Sequence, residues 1–261
     1  MWNVLLCHAK IIRFGIILYI CPKHFIMGKL YLLPNLLGET PIGRVIPDDV
    51  IHIIKNIKVF ATENVKNTRR YLKKIDKAIN IDELVFLDLN EHSDIKDIET
   101  YLPYLADQDM GIISEAGCPG IADPGAELVA LAHKHGYQVI PLVGPSSILL
   151  ALIASGANGQ NFSFNGYLPI SKPERIKTLK AYEKQSAAEN RTQLFIETPY
   201  RNVQLFEDMI ATLSPMTRLT IACDITTENE YIKTMVIKDW KHVKPDINKR
   251  PTIFVLYARP F

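Results

Sequence analysis

The stretch MGIISEAGCPGIADPGAELVALAHKHGYQVIPLVGPSSILLALIASG, Met110–Gly156, decides the fold. It opens with a short apolar strand, MGIIS (110–114), and passes through the loop EAGCPGIADPG (115–125). A helix follows, AELVALAHKHG, closing at Gly136. Asp123 and Pro124 before it read as an N-cap and a proline at the first helical position. YQVIPLV is the next strand, GPSS a second tight turn, and ILLALIASG an apolar helix closing at Gly156. A strand, helix, strand, helix order with short connections is the signature of parallel crossover units.

The same alternation extends upstream. KLYLLP (29–34) reads as the first strand, followed by a loop with Gly38, Pro41 and Gly43 and a helix in PDDVIHIIKNI, whose proline and two acids suit a helix start. KVFAT (58–62) and ELVFLDL are further strands. A basic helix from about Asn64 to Ala78 and a helical segment from Asp94 to about Ala106 complete the set. Downstream the pattern changes. FSFNGYLP, TQLFIET, RLTIACD, EYIKTMVIKDW and TIFVLYA read as strands, with clear helices only near Lys172–Lys184 and Arg201–Leu213. Strands without intervening helices indicate a mixed sheet. The expectation is an α/β protein of two domains. Residues 28–156 form a mainly parallel sheet flanked by helices, and residues 157–261 a mixed sheet with helices, divided at the small, polar SGANGQN.

Composition narrows the function. The 261 residues are 48% hydrophobic and 22% charged, ample for two packed cores. A formal net charge of +2 neither requires nor excludes a nucleic-acid partner, so local patches matter. Cys7, Cys21, Cys118 and Cys223 show no CxxC pairing and no metal-ligand spacing, which points away from a disulfide framework or a metal and toward a reducing, cytoplasmic setting. Residues 1–27 contain the apolar FGIILYIC behind Lys10 and Arg13. They lack a small-residue cleavage site, and the apolar run is short of the ~20 residues of a membrane span. They read as an extension ahead of a start at Met27, with a signal or anchor segment as the alternative.

GxGxxG after the first strand, GxxxxGK[ST], HExxH and GxSxG are all absent. What remains is the pair of loops after strands four and five. Glycines allow close backbone approach and prolines stiffen the turns, so backbone N–H and C=O groups there can hold a nucleoside cofactor. Either loop alone reads as a well-capped turn. Together, on consecutive strands, they read as a cradle.

SEAGCPGIADPG, then IPLVGPSSILLALIASG, then YLP (167–169), then FIETPYR (195–201) resembles the tetrapyrrole methylase superfamily. Within it the pattern is most similar to the branch that methylates ribose 2'-hydroxyls of small-subunit ribosomal RNA, whose motifs run SDAGTPxxxDPG, VPxPGPSAxxxALxxSG, FLP and FYExPHR. The resemblance spans about Leu30 to Leu256. It implies a two-domain methyltransferase that uses S-adenosylmethionine in a cleft between domains and works as a homodimer. Carried over by position, Pro34, Gly117, Cys118, Pro119, Ile121, Ser146, Ser147, Ile196, Thr198 and Ala222 would line the cofactor site.

The departures fall on the substrate side. PNLLGETPIGRVIP replaces PTPIGNLxDIT, ATENVKN replaces AEDTR with only Glu63 kept, ACDITTEN replaces ARExTK, and NKRP (248–251) replaces RKGE. The acceptor is therefore open between ribosomal RNA and a small molecule such as a tetrapyrrole, with a catalytically altered cofactor-binding protein as a third reading. A hydroxyl acceptor must lose its proton, and Glu63, Glu115 and Glu197, each after a strand end, are the candidate bases. Each also suits a cap or an ion pair, and no single base is assigned. For RNA, Lys66, Arg70, Lys73 and Lys77 share one helical face, and Lys177, Lys180 and Lys184 form a second stripe; both also read as solvated helix faces. Tyr71 could stack on a base or fill the core. Cys118 is not read as a nucleophile, since His133 and His135 lie at the far end of the following helix.

Overall fold

A computed structural model of the chain describes residues 27–259. The extension expected over residues 1–27 lies outside the described residues except for Met27.

The first sheet contains β1 (Lys29–Leu33), β2 (Val59–Thr62), β3 (Val85–Asp88), β4 (Met110–Ile113) and β5 (Gln138–Pro141). Its order is β3-β2-β4-β1-β5 and every pairing is parallel. A parallel sheet must be covered on both faces, because its crossovers run over them. Side chains alternate to meet that need. Leu30, Ala61 and Ile112 pack with Ile98, Leu105 and Leu128 from α3 (Ile95–Glu99), α4 (Leu102–Asp107) and α5 (Ala126–Lys134). Leu33, Phe60 and Ile113 pack with Val50, Ile54 and Leu72 from α1 (Asp48–Asn56) and α2 (Val65–Ile75).

The second sheet contains β6 (Phe162–Tyr167), β7 (Thr192–Ile196), β8 (Arg218–Cys223), β9 (Tyr231–Val236) and β10 (Thr252–Tyr257) in the order β6-β7-β10-β8-β9. Only β6 and β7 pair in parallel; β7–β10, β10–β8 and β8–β9 are antiparallel. One face packs Phe195, Leu219, Ile221 and Phe254 against Leu179, Leu205, Met209 and Trp240 of α7 (Lys172–Glu189), α8 (Asn202–Thr212) and α9 (Ile237–Trp240). The other is covered by α6 (Ser147–Ser155), whose Ile148, Ala151 and Leu152 meet Leu194, Ala222, Ile253 and Val255. Although α6 follows β5 directly, it packs on the second sheet. Leu149 and Ile153, one helical turn apart, stay exposed on its outer side.

Four expected elements differ in extent: the helix near Lys172–Lys184 runs on to Glu189. The segment 94–106 divides into α3 and α4, with Pro103 in the first turn of α4. The basic helix stops at Ile75, because Asp76 is extended at φ −153°, so Lys77 lies beyond it. The strand in EYIKTMVIKDW ends at Val236, and its last four residues coil into α9. There the buried Trp240 indole N–H donates to the Leu219 carbonyl at 2.8 Å. Among the described residues no helix is long and apolar enough to cross a membrane.

Candidate active site

The loops at the carboxyl ends of β1, β4 and β5 meet in one place, as the strand order requires. Asn35 ties the first to the second. Its backbone N–H donates to the Gly117 carbonyl at 2.8 Å, and its side-chain amide donates to the Ser114 and Glu115 carbonyls at 2.9 and 3.0 Å. The third loop closes against the first at Gly144, where a Cβ would sit 2.0 Å from that of Pro34, so only glycine fits. Gly117 holds φ +70°, and a Cβ there would press Leu37 at 3.2 Å. The Cys118 thiol faces the Pro145 carbonyl at 3.5 Å, and the Ser146 side chain caps α6 by accepting from the Leu149 N–H.

These loops form one wall of a cleft of about 310 Å³, and the second sheet forms the other. Gly117, Cys118, Ile121, Ser146, Ser147, Ile196 and Ala222, all expected from the sequence, line it. Pro34, Pro119 and Thr198 do not. Pro34 backs Gly144 and accepts the Tyr71 hydroxyl on its carbonyl at 2.7 Å. Pro119 is buried, and the Thr198 N–H donates to Glu197 Oε1 at 2.6 Å.

The carboxylates separate into two groups. Glu197 lines the cleft with its side chain almost fully buried. Its Oε1 accepts from the Arg201 guanidinium at 2.6 and 3.1 Å as well as from Thr198. Asp224, also on the cleft, holds a left-handed φ of +48° and pairs with Arg250 Nε at 2.7 Å. These two are ion-paired and hydrogen-bonded. Glu63, Glu115 and Asp123 are different: Glu63 and Glu115 follow the ends of the adjacent strands β2 and β4, Asp123 lies further along the loop after β4, and none has a cation paired to it among the described residues. Glu115 accepts from the Asn67 amide and does not line the cleft. Glu63 does not line it either. One of its oxygens is buried without a partner, and burial, followed by Asp123, Glu115 and Glu91, raises its carboxyl above the usual range.

Asp123 corrects the sequence reading. It is not the cap of α5: the N-cap is Gly125 at φ +132°, with no side-chain bond, and the helix begins at Ala126. The expectation failed because Gly120, Ala122 and Gly125 all take positive φ and carry the loop on before the helix starts. The Asp123 carboxylate is thereby turned to the cleft. Burial pushes it above the usual carboxylate range, Glu115 adds to the push, and a hydrogen bond from Ser114 opposes it. An Asp-Pro pair before a helix looks like a cap, and only the dihedrals of the loop reveal otherwise.

The lining suits a nucleoside with a positively charged sulfur. Apolar side chains of Leu37, Ile121, Ile148, Ile196, Ile225 and Ile253 offer faces for a flat base. The Ser146 and Ser147 hydroxyls and the loop backbone offer polar partners, and the Asp123 carboxylate, not paired with a cation among the described residues, supplies negative potential. Outside the cleft, Lys66, Arg70 and Lys73 are exposed on α2 and Lys177, Lys180 and Lys184 on α7. Tyr71 is a buried core residue.

No family model matches the chain. The chain is 32% identical over 235 residues to ribosomal RNA small subunit methyltransferase I of Escherichia coli O157:H7, covering 88% of this chain and 77% of that one. It is 30% identical over 204 residues to the protein of the same name from Synechocystis, covering 78% and 69%. Among solved structures it is similar to the methyltransferase CobJ, at a TM-score of 0.57 and 15% identity over 89% of this chain and 100% of that one. It is also similar to uroporphyrin-III-C-methyltransferase from Thermus thermophilus, at a TM-score of 0.51 and 14% identity over 88% and 92%. At such identities these two establish the shared fold.

Proposed function

The chain belongs to the family of the ribosomal RNA small subunit methyltransferase I enzymes, and from that premise we propose that it transfers a methyl group from S-adenosylmethionine to a ribose 2'-hydroxyl of small-subunit ribosomal RNA. The observation that carries this reading is the single cleft in which both glycine-rich loops meet the FIETPYR wall. The carriers of the cofactor would be Gly117, Cys118, Ile121, Ser146 and Ser147 on one side and Ile196 and Ala222 on the other. Pro34, Pro119 and Thr198 support those positions from behind.

S-adenosylmethionine, when bound, supplies a methyl carbon already activated for displacement by its sulfonium. The protein's own work is alignment, exclusion of water and removal of the acceptor's proton. Asp123 is the carboxylate best placed for that last role. It lines the cleft, no cation holds it among the described residues, and its raised affinity for protons makes it a stronger base than an ordinary aspartate. Burial sustains that affinity, and repulsion from Glu115 adds to it. Glu197 is committed to Arg201 and orients the wall.

The protein is proposed to work in the cytoplasm as a homodimer through the outer face of α6, where Leu149, Ile153 and the neighbouring Val143 leave apolar side chains open. The exposed cations of α2 and α7 would meet RNA phosphates. The deciding experiment maps ribose methylation in small-subunit RNA from cells lacking the gene. One methylated ribose should disappear and return with the wild-type gene; an unchanged map rejects the reading. Calorimetry should detect S-adenosylmethionine, and no binding at millimolar ligand rejects the cofactor.

A further inference from the structure

We propose that Tyr200 and Lys249 form a stacking platform at the mouth of the cleft, which holds an unpaired nucleobase beside the ribose being methylated. The proposal rests on the ribosomal RNA reading above.

Tyr200 sits in the 3₁₀ turn Pro199–Arg201, beside the cleft-lining Glu197 and Pro199. Its side chain is directed outward, and the residue is 75% exposed. The Lys249 ammonium lies over the ring, 5.6 Å from its centroid. This pairing is built by the fold. Lys249 holds a left-handed φ of +61°, which a lysine adopts only when its surroundings impose it. Three restraints impose it. The Lys249 N–H donates to the Pro199 carbonyl at 3.0 Å, within the turn that carries Tyr200. The buried Asn202 amide donates to the Ile247 and Arg250 carbonyls at 3.2 and 2.7 Å, gripping the segment on both sides of Lys249. Arg250 is in turn paired with Asp224 on the cleft.

A second exposed aromatic lies on the cleft itself. Tyr167 lines the cleft yet is 60% exposed, at the end of β6 where the pairing with β7 shifts register and Gly166 takes φ +61°. Such a bulge re-aims the side chain that follows it. Exposed aromatic rings beside a cation are how proteins hold unpaired bases: the ring takes the base face and the ammonium takes the neighbouring phosphate. A ring this exposed encloses nothing and offers little to a small acceptor, which needs enclosing walls. The geometry points to a single-stranded segment of RNA, with one base on Tyr200 and its phosphate toward Lys249.

The test uses the full-length protein and small ribosomal subunits from cells lacking the gene, following methyl transfer from labelled S-adenosylmethionine. Loss of one stacked base costs on the order of tenfold or more. Tyr200→Ala should therefore lower kcat/KM for the subunits by about that factor, mainly through KM, while the S-adenosylmethionine Kd from calorimetry stays at the wild-type value. Tyr200→Trp should restore transfer and Tyr200→Leu should not. Lys249→Gln should make the salt dependence of KM shallower. An unchanged kcat/KM in Tyr200→Ala, or Tyr200→Leu matching Tyr200→Trp, overturns the platform alone. No transfer by the wild-type protein overturns the ribosomal RNA reading and the platform with it.

Discussion

The two walls of the cleft are made in different ways. The wall from the first sheet is backbone: Gly117, Gly120 and Gly125 in positive φ, Gly144 against Pro34, and a serine cap at Ser146. The wall from the second sheet is made of side chains locked in pairs, Glu197 with Arg201 and Asp224 with Arg250. A backbone wall depends on which residues can adopt a dihedral. A paired wall depends on partners that lie 4 and 26 positions apart in the chain. Asp123 stands at the seam, a carboxylate not paired with a cation among the described residues, projecting from the backbone wall.

The largest expected effect breaks that seam. Asp123→Asn should reduce methyl transfer by about 10²-fold to 10⁴-fold, the span for removing a positioned general base. Wild-type activity should fall as pH drops through the raised Asp123 value, above the range of an ordinary carboxylate, and the variant should lose that limb. The sign for stability is opposite. A carboxyl whose folded pKa is raised weakens the fold once it ionises, so Asp123→Asn should raise the Tm at neutral pH, with the gain vanishing in acid. A variant that keeps full transfer excludes Asp123 as the base.

The next effect tests the backbone wall. Gly117→Val forces a β-branched residue to φ +70° with its Cβ on Leu37, a strain of about 1–3 kcal/mol. S-adenosylmethionine affinity by calorimetry should fall by roughly fivefold to 150-fold, since each 1.4 kcal/mol is a factor of ten. Removing only a side chain from the same wall should do little. Cys118→Ala loses one weak contact to Pro145, and affinity should stay within about threefold, the low end of what a neutral hydrogen bond contributes. If the two variants behaved alike, the contrast between the walls would be wrong. Between them in size lies the proposed dimer contact: Ile153→Glu, at a position 75% exposed, should leave the fold intact and shift sedimentation from dimer to monomer.

The same contrast explains what could be read in advance. Strands β1 to β5 and the loops after β4 and β5 were legible because period, glycine and proline act locally. Most of the cofactor positions named from the resemblance accordingly fall on one cleft. The proposed base, Asp123, was not legible, because Asp-Pro before a helix imitates a cap until three positive-φ residues displace the helix start to Ala126. Glu63 and Glu115 were rightly placed at strand ends, yet the cleft runs past them. The pairing of Lys249 with Tyr200 depends on Asn202, 47 positions before Lys249, and no local pattern announces it.

Helix α6 is capped in the backbone wall by Ser146 and lies along the second sheet. This limits how the protein can be cut for study. A fragment ending at Gly156 would carry an apolar helix stripped of Leu194, Ala222, Ile253 and Val255, and it should aggregate. Cutting before Gly144 leaves that helix on its own sheet and splits the cradle between two molecules. Neither half can then be expected to hold the nucleoside by itself, and mixing the two would be a direct assay for reassembly.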